Sequence, residues 1–179
     1  HNAIEDYLKT GNLNIEKAKL ILEERWQKYE FDSPEFIAKM QAQRKAHGLT
    51  YRHEGFEKWE QSAETILSSL PKFLDDTFDE WEFLVAEDQI YEKIDGFDLN
   101  FKGFIDCVLI ATKGKKKKIW IIDWKTTGPR GWASQKSRDF MTQAQVGLYK
   151  KYWSKRENVP LKDVGCGYVL LKRNTKPEK

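Results

Sequence analysis

The stretch from Gly103 to Thr127 constrains this chain more than any other, because it reads as a single β-hairpin. GFIDCVLIA and IWIIDWKTT are rich in Ile, Val, Leu, Phe and Trp, the residues that suit a pleated, half-buried surface. Between them lies TKGKKKK, whose Gly114 and Lys115 suit a two-residue turn of the Gly-first type. A turn centred there puts Asp106 opposite Asp123 on the same face of the sheet, with Cβ atoms roughly 4.5–5.5 Å apart. Two carboxylates at about 5 Å repel by roughly 3 kcal/mol at an effective dielectric near 20. A bound divalent cation or a shared proton would offset that cost. Period-two alternation returns Lys125 to the face of Ile119, Ile121 and Asp123, and leaves Trp120, Ile122 and Trp124 on the other. An Asp-x-Lys pair alone is often an ordinary surface ion pair; with Asp106 opposite, it reads as a metal ligand beside an ammonium.

Three motifs then occur in order: Gly-x-x-Asp (Gly103, Asp106), the strand ending Asp-Trp-Lys-Thr-Thr (Asp123 to Thr127), and Gln-x-x-x-Tyr (Gln145, Tyr149). This set resembles the RecB-like exonuclease branch of the PD-(D/E)XK nuclease superfamily. The resemblance implies an α/β (α+β) fold: a restriction-endonuclease-like core with a central mixed, largely antiparallel sheet flanked by helices. It implies Mg²⁺ or Mn²⁺ held by Asp106, Asp123 and the Trp124 carbonyl, and a catalytic set of Asp106, Asp123, Lys125, Gln145 and Tyr149. It further implies a histidine ligand on an upstream helix in a His-x-x-Ile-Glu setting, which His1, Ile4 and Glu5 match. Glu87, read as the end of the first strand, is either a further metal carboxylate or that strand's exit to water.

The rest of the chain fits around this core. Residues 1 to about 80 read as a helical lobe. Ala3, Ile4, Tyr7 and Leu8 form one apolar stripe, and Ala18, Leu20, Ile21, Leu22 and Trp26 form another after an Asn14 cap. A third helix starts at Ser33-Pro34 and ends near Gly48. A fourth carries Phe56, Trp59, Ala63, Ile66, Leu67 and Leu70 before Pro71 kinks or splits it. Residues 81–179 read as the sheet core: WEFLVAE, QIYEKI, FDLNF, the hairpin, and a last strand, VGCGYVLLK, with Asp95-Gly96 as a turn. Between hairpin and last strand, residues 137–153 read as a helix whose buried stripe is Met141, Ala144, Leu148 and Tyr152, with Gln145 in its middle and Tyr149 at its margin. The whole, residues 1–179, reads as a single nuclease domain.

Charge and cysteines bound the partners. A net charge of +3 does not by itself announce nucleic acid, so position decides. Lys115 and Lys116 at the hairpin turn read as a solvated turn or a phosphate contact. Arg130, Trp132, Lys136 and Arg138, cations interleaved with an aromatic next to the site, suit a nucleic-acid strand better. His47 and His53 show no partner spacing and read as surface residues. Two cysteines, Cys107 and Cys166, in apolar runs suit buried free thiols of the cytoplasm or another reducing compartment. They are too few to hold a four-cysteine iron–sulfur cluster. No apolar run is long enough for a membrane span, and a chain beginning at His1 suggests a fragment or processed product.

The function implied is a metal-dependent DNA nuclease, an exonuclease on single-stranded or end-containing DNA, within a larger recombination, repair or replication assembly. Two rivals stand: a catalytically inactive DNA-binding module or subunit of a helicase–nuclease, and a magnesium-dependent phosphotransferase. Intact Asp106, Asp123 and Lys125 weigh against the first. The lack of a Gly-rich phosphate loop weighs against the second.

Overall fold

The computed structural model describes residues 1–128 and 130–173. Its helices are α1 (Asn2–Thr10), α2 (Ile15–Lys28), α3 (Pro34–Ala46), α4 (Phe56–Thr77), α5 (Ser134–Arg138) and α6 (Phe140–Arg156). Its strands are β1 (Glu80–Lys93), β2 (Asn100–Lys113), β3 (Lys116–Thr127) and β4 (Val164–Lys172). The four described strands lie in sequence order, with β1–β2 and β2–β3 antiparallel and β3–β4 parallel. This is the mixed, largely antiparallel α/β sheet expected of a restriction-endonuclease-like core.

Local chemistry accounts for the elements. The Asn14 and Ser33 side chains cap α2 and α3 by accepting from the Lys17 and Phe36 N–H groups. The β2–β3 ladder runs from Cys107 opposite Ile122 to Lys113 opposite Lys116, the register set by the Gly114-Lys115 turn. Gly114 takes φ +61°, which the Gly-first turn requires of its first central residue. Asp95-Gly96 turns β1 into β2, with Gly96 at φ +82°.

Two cores cover the two faces of the sheet. On one, Ile4 and Leu8 of α1 and Leu67, Leu70 and Leu74 of α4 pack against Cys107, Leu109, Ala111, Ile122 and Trp124. On the other, Tyr149, Tyr152 and Trp153 of α6 pack against Ile90, Ile105, Val108, Ile121 and Val164. The helical lobe has its own aromatic cluster: Trp26 meets Phe31, Phe56 and Trp59 at centroid distances of 5.2–6.0 Å, and its Nε1–H donates to Asp32.

Several local expectations are corrected. Pro71 neither splits nor ends α4, which continues to Thr77. The segments WEFLVAE and QIYEKI are one strand, β1, bulged between Phe83 and Val85, so Glu87 lies inside it rather than at its end. The helix expected over 137–153 is two, α5 and α6, because the Asp139 carboxylate accepts from the Thr142 N–H and hydroxyl and starts a new helix there. The phase of α6 also differs. Met141 is 72% exposed and Leu148 36%, while Val146, Tyr149, Tyr152 and Trp153 are buried. Leu20, placed in the stripe of α2, is exposed. His53 is partnered, its Nε2 2.6 Å from Asp32 Oδ1 and its Nδ1 3.3 Å from the Tyr51 hydroxyl. Cys107 is buried, and burial pushes its thiol up to about 12; Cys166 is only half-buried.

Candidate metal and nuclease site

The site forms where the regular pairing of β2 with its neighbours breaks down. Along β2, Phe101 and Ile105 pack towards α6, as does Val108, whereas Cys107, Leu109 and Ala111 pack towards α1 and α4. The step from Ile105 to Val108 is not a period of two, so the strand changes phase at Asp106. The register holds from Ala86–Cys107 to Asp88–Ile105, and between these pairs Glu87 and Asp106 lie opposite each other without pairing. Glu87 sits there at φ +50°, a conformation unfavourable for a residue with a Cβ. Such strain persists only where surrounding structure enforces it, and it collects at functional sites.

On the β3 side, the ladder ends at Cys107–Ile122, one residue short of an Asp106–Asp123 pair. Asp106 turns its carboxylate onto the β3 backbone instead, where the Trp124 N–H donates to its Oδ2 at 2.7 Å. The Trp124 side chain is buried against α1 and α4, so only its backbone borders the site.

Because α1 packs beside β1, its first turn lies over this break. His1 Nδ1 is 3.6 Å from Asp106 Oδ2. One ligand atom each from His1, Glu87 and Asp106 lie within 4.8 Å of one another. Two carboxylates and an imidazole nitrogen are a donor set for a hard divalent ion, and the spacing lets all three reach one centre. Among the described residues, Asp123 stands outside this group.

Asp123 faces α6 and is 2% exposed. Its counter-charge comes from its own strand: Lys125 Nζ lies 2.6 Å from Asp123 Oδ1. That approach seats the ammonium directly against a carboxylate oxygen closed off from solvent. Its neighbour Oδ2 accepts from Gln145 Nε2 at 3.2 Å, and the same amide group donates to the Tyr149 hydroxyl at 3.0 Å. Burial raises the pKa of both carboxyls. The Trp124 N–H opposes the rise at Asp106, the Lys125 ammonium opposes it at Asp123, and the Asp106 charge adds to it there.

Two residues complete this geometry. Gly103 explains the first position of its motif: a Cβ there would lie 2.5 Å from Tyr149 Cε1, so only glycine lets α6 approach β2 closely enough to seat Gln145. Tyr168 on β4, the parallel partner of Asp123, was not singled out from the sequence. Its hydroxyl lies 2.5 Å from the Thr142 carbonyl and 3.0 Å from Gln145 Oε1, which turns the amide so that nitrogen faces Asp123. Lys125 Nζ sits 5.7 Å from its ring centroid. No local pattern marks Tyr168, since its role depends on long-range strand register.

The cationic candidates divide by position. Lys115 and Lys116 lie at the far end of the hairpin, roughly 25 Å from Asp123 at about 3.3 Å per residue, exposed and apart from the carboxylates. Trp132 stacks edge-on against Tyr168 at 4.9 Å, and Lys136 Nζ lies 5.0 Å from the Trp132 ring, so both connect to the site. Arg130 and Arg138 are exposed on the same connection between β3 and α6.

No described helix is long and apolar enough to cross a membrane. Neither curated proteins nor solved structures yielded a match. A family model of the PD-(D/E)XK nuclease superfamily matches residues 1–179, the full length of the chain. The chain belongs to the PD-(D/E)XK nuclease superfamily, and its function is of the nuclease type, with nucleic acid as substrate.

Proposed function

We propose that the chain is a divalent-metal-dependent deoxyribonuclease of the RecB-like branch, cutting single-stranded or end-containing DNA as an exonuclease. The observation that carries this reading is the meeting of Asp106 with Glu87 and His1 on one side, and its electrostatic coupling to buried Asp123 on the other. His1, Glu87, Asp106, Asp123 and the Trp124 carbonyl would hold Mg²⁺ or Mn²⁺. A bound ion would supply Lewis-acid polarisation of the scissile phosphodiester and of an attacking water.

The protein's own groups do the rest. Lys125, held against Asp123, orients the attacking water and stabilises negative charge developing on the phosphorane. Gln145, its amide oriented by Tyr168, and Tyr149 hold Asp123 in place and border the substrate. Trp132, Lys136, Arg130 and Arg138 line the approach of the strand, with phosphate contacts supplying most of the affinity. Lys115 and Lys116 would touch only a distant part of a longer substrate. No covalent intermediate is involved, because among the described residues of the carboxylate site no Ser, Cys or Tyr nucleophile is paired with a base. Residues 1–179 act as one nuclease domain whose helical lobe limits access to a single strand, within a recombination, repair or replication assembly in a reducing compartment.

The test is cleavage of end-labelled single- and double-stranded DNA with and without Mg²⁺ or Mn²⁺. Metal-dependent shortening from an end supports the reading. Intact DNA under all conditions, with binding retained, makes the chain a nucleic-acid-binding module instead.

A further inference from the structure

Part of the α6 stripe that the sequence marks as apolar, Met141 and Leu148, is left uncovered, and Phe140 beside it is exposed as well. Phe140 is 78% exposed, Met141 72% and Leu148 36%. With Ala144, these residues span an arc of about 100° at roughly 100° per residue. The buried face of α6 centres on Tyr149, and the uncovered arc adjoins it on the side that carries Gln145. Gln145 is hydrogen-bonded to Asp123, so the stripe begins beside the carboxylate site. The first turn of α6 is also held firmly: Asp139 caps it, and Tyr168 is hydrogen-bonded to the Thr142 carbonyl. A solvated apolar surface on a well-anchored helix next to a polar centre marks a contact surface rather than a stray exposed side chain.

We propose that this stripe seats the unpaired bases of the nucleic-acid strand whose phosphate is processed at Asp106 and Asp123; the proposal rests on the nuclease reading above. Phe140 offers an aromatic face for stacking, and Met141 and Leu148 offer apolar contact. From Phe140 to Leu148 the helix rises about 12 Å, room for roughly three bases at about 3.4 Å each. Charge fits the same occupant. Lys136 and Arg138 lie just before the stripe, matching a phosphate backbone that enters there. The nearest carboxylate in sequence, Asp139, is engaged as the helix cap. At the far end, Lys151 and Lys155 are both drawn to Asp95, so the apolar surface stops there. Base stacking of this kind favours a single strand or a frayed end, because a duplex keeps its bases on each other.

The experiment compares the intact chain with a Phe140→Ser/Met141→Ser variant, whose substitutions fall on exposed positions. Fluorescence anisotropy in EDTA would report binding of a short labelled single strand and of the same strand carrying successive abasic sites. The intact chain is expected to prefer the base-bearing strand about 5- to 100-fold, the worth of a stacked base. The variant should bring that ratio close to one while binding the abasic strand as before. Equal affinity of the intact chain for both strands, or a ratio unchanged in the variant, overturns the base platform. Persisting metal-dependent cleavage would then leave the nuclease reading in place. Binding of neither strand, together with absence of cleavage, overturns both. Sedimentation that shows a dimer for the parent and a monomer for the variant would assign the stripe to a second copy of the chain and also overturn the proposal.

Discussion

Lys125 keeps its ammonium 2.6 Å from a carboxylate oxygen that solvent barely reaches, and this position separates its effect on rate from its effect on affinity. Lys125→Ala should lower kcat on DNA by about 100- to 1000-fold, the loss of one electrostatic contact worth roughly 2.7–4 kcal/mol in the transition state. DNA binding should change much less, which an anisotropy titration would check. A parallel loss of affinity and rate would instead make Lys125 a phosphate clamp. The two aspartates carry a pH signature. Burial raises both pKa values above the ordinary 3.8, so the folded state binds more protons than the unfolded one in the window from 3.8 up to the raised values. The metal-free fold therefore loses stability as pH rises through that window, and the contribution is fully present only below it. Other carboxyls, such as Asp95 and Asp139, are lowered and slope the opposite way. The clean readout is thus a difference: the stability of Asp106→Asn/Asp123→Asn relative to the parent, in EDTA, should increase with pH across the window and then level off. A flat difference would show that neither carboxyl is raised.

At the scale of elements, the close contact of β2 with α6 through Gly103 and Tyr149 is the joint that lets Gln145 reach Asp123. Gly103→Ala places a methyl group 2.5 Å from a buried aromatic ring and should destabilise the fold by about 1–3 kcal/mol. Thermal denaturation would measure it, and the smaller Tyr149→Leu introduced alongside should recover part of the loss. The hairpin itself was legible in the sequence, because alternation and the Gly114-Lys115 turn together fix a register, and one residue of slip would invert both faces. The buried face of α6 was not. Met141, Ala144 and Leu148 are as apolar as Val146, Tyr149 and Trp153, and composition does not say which arc meets the sheet. Glu87 was legible as a carboxylate near the site, but not as a mid-strand residue at positive φ. Glu87 takes that conformation opposite Asp106, between the pairs Ala86–Cys107 and Asp88–Ile105, and nothing in a glutamate side chain announces it. His1 became a candidate only through family resemblance, since its place depends on how α1 packs over β1.

At the scale of the whole molecule, the helical lobe is tied to the sheet through apolar packing of α1 and α4 and, among the described residues, through a cation at the end of β4. Arg173 lies 4.1 Å from the centre of the Trp59 ring and 2.9 Å from Glu54 Oε2. Arg173→Ala should cost about 1 kcal/mol, the combined worth of a modest cation–π contact and a partly exposed ion pair. That corresponds to a fall in Tm of roughly 2–4 °C for a chain of this size. An unchanged Tm would mean that the lobe is held by the apolar contacts alone. The lobe matters to the site because α1 delivers His1 to Asp106, so strands from one half of the chain and a helix from the other converge on one centre. The most direct measurement of that convergence is an anomalous difference map from crystals soaked in Mn²⁺. The account predicts a peak about 2.0–2.6 Å from oxygens of Asp106 and Glu87, with a His1 ring nitrogen in the same shell. A map with no peak beside Asp106, or with manganese only on surface carboxylates such as Asp95 and Asp98, would contradict it.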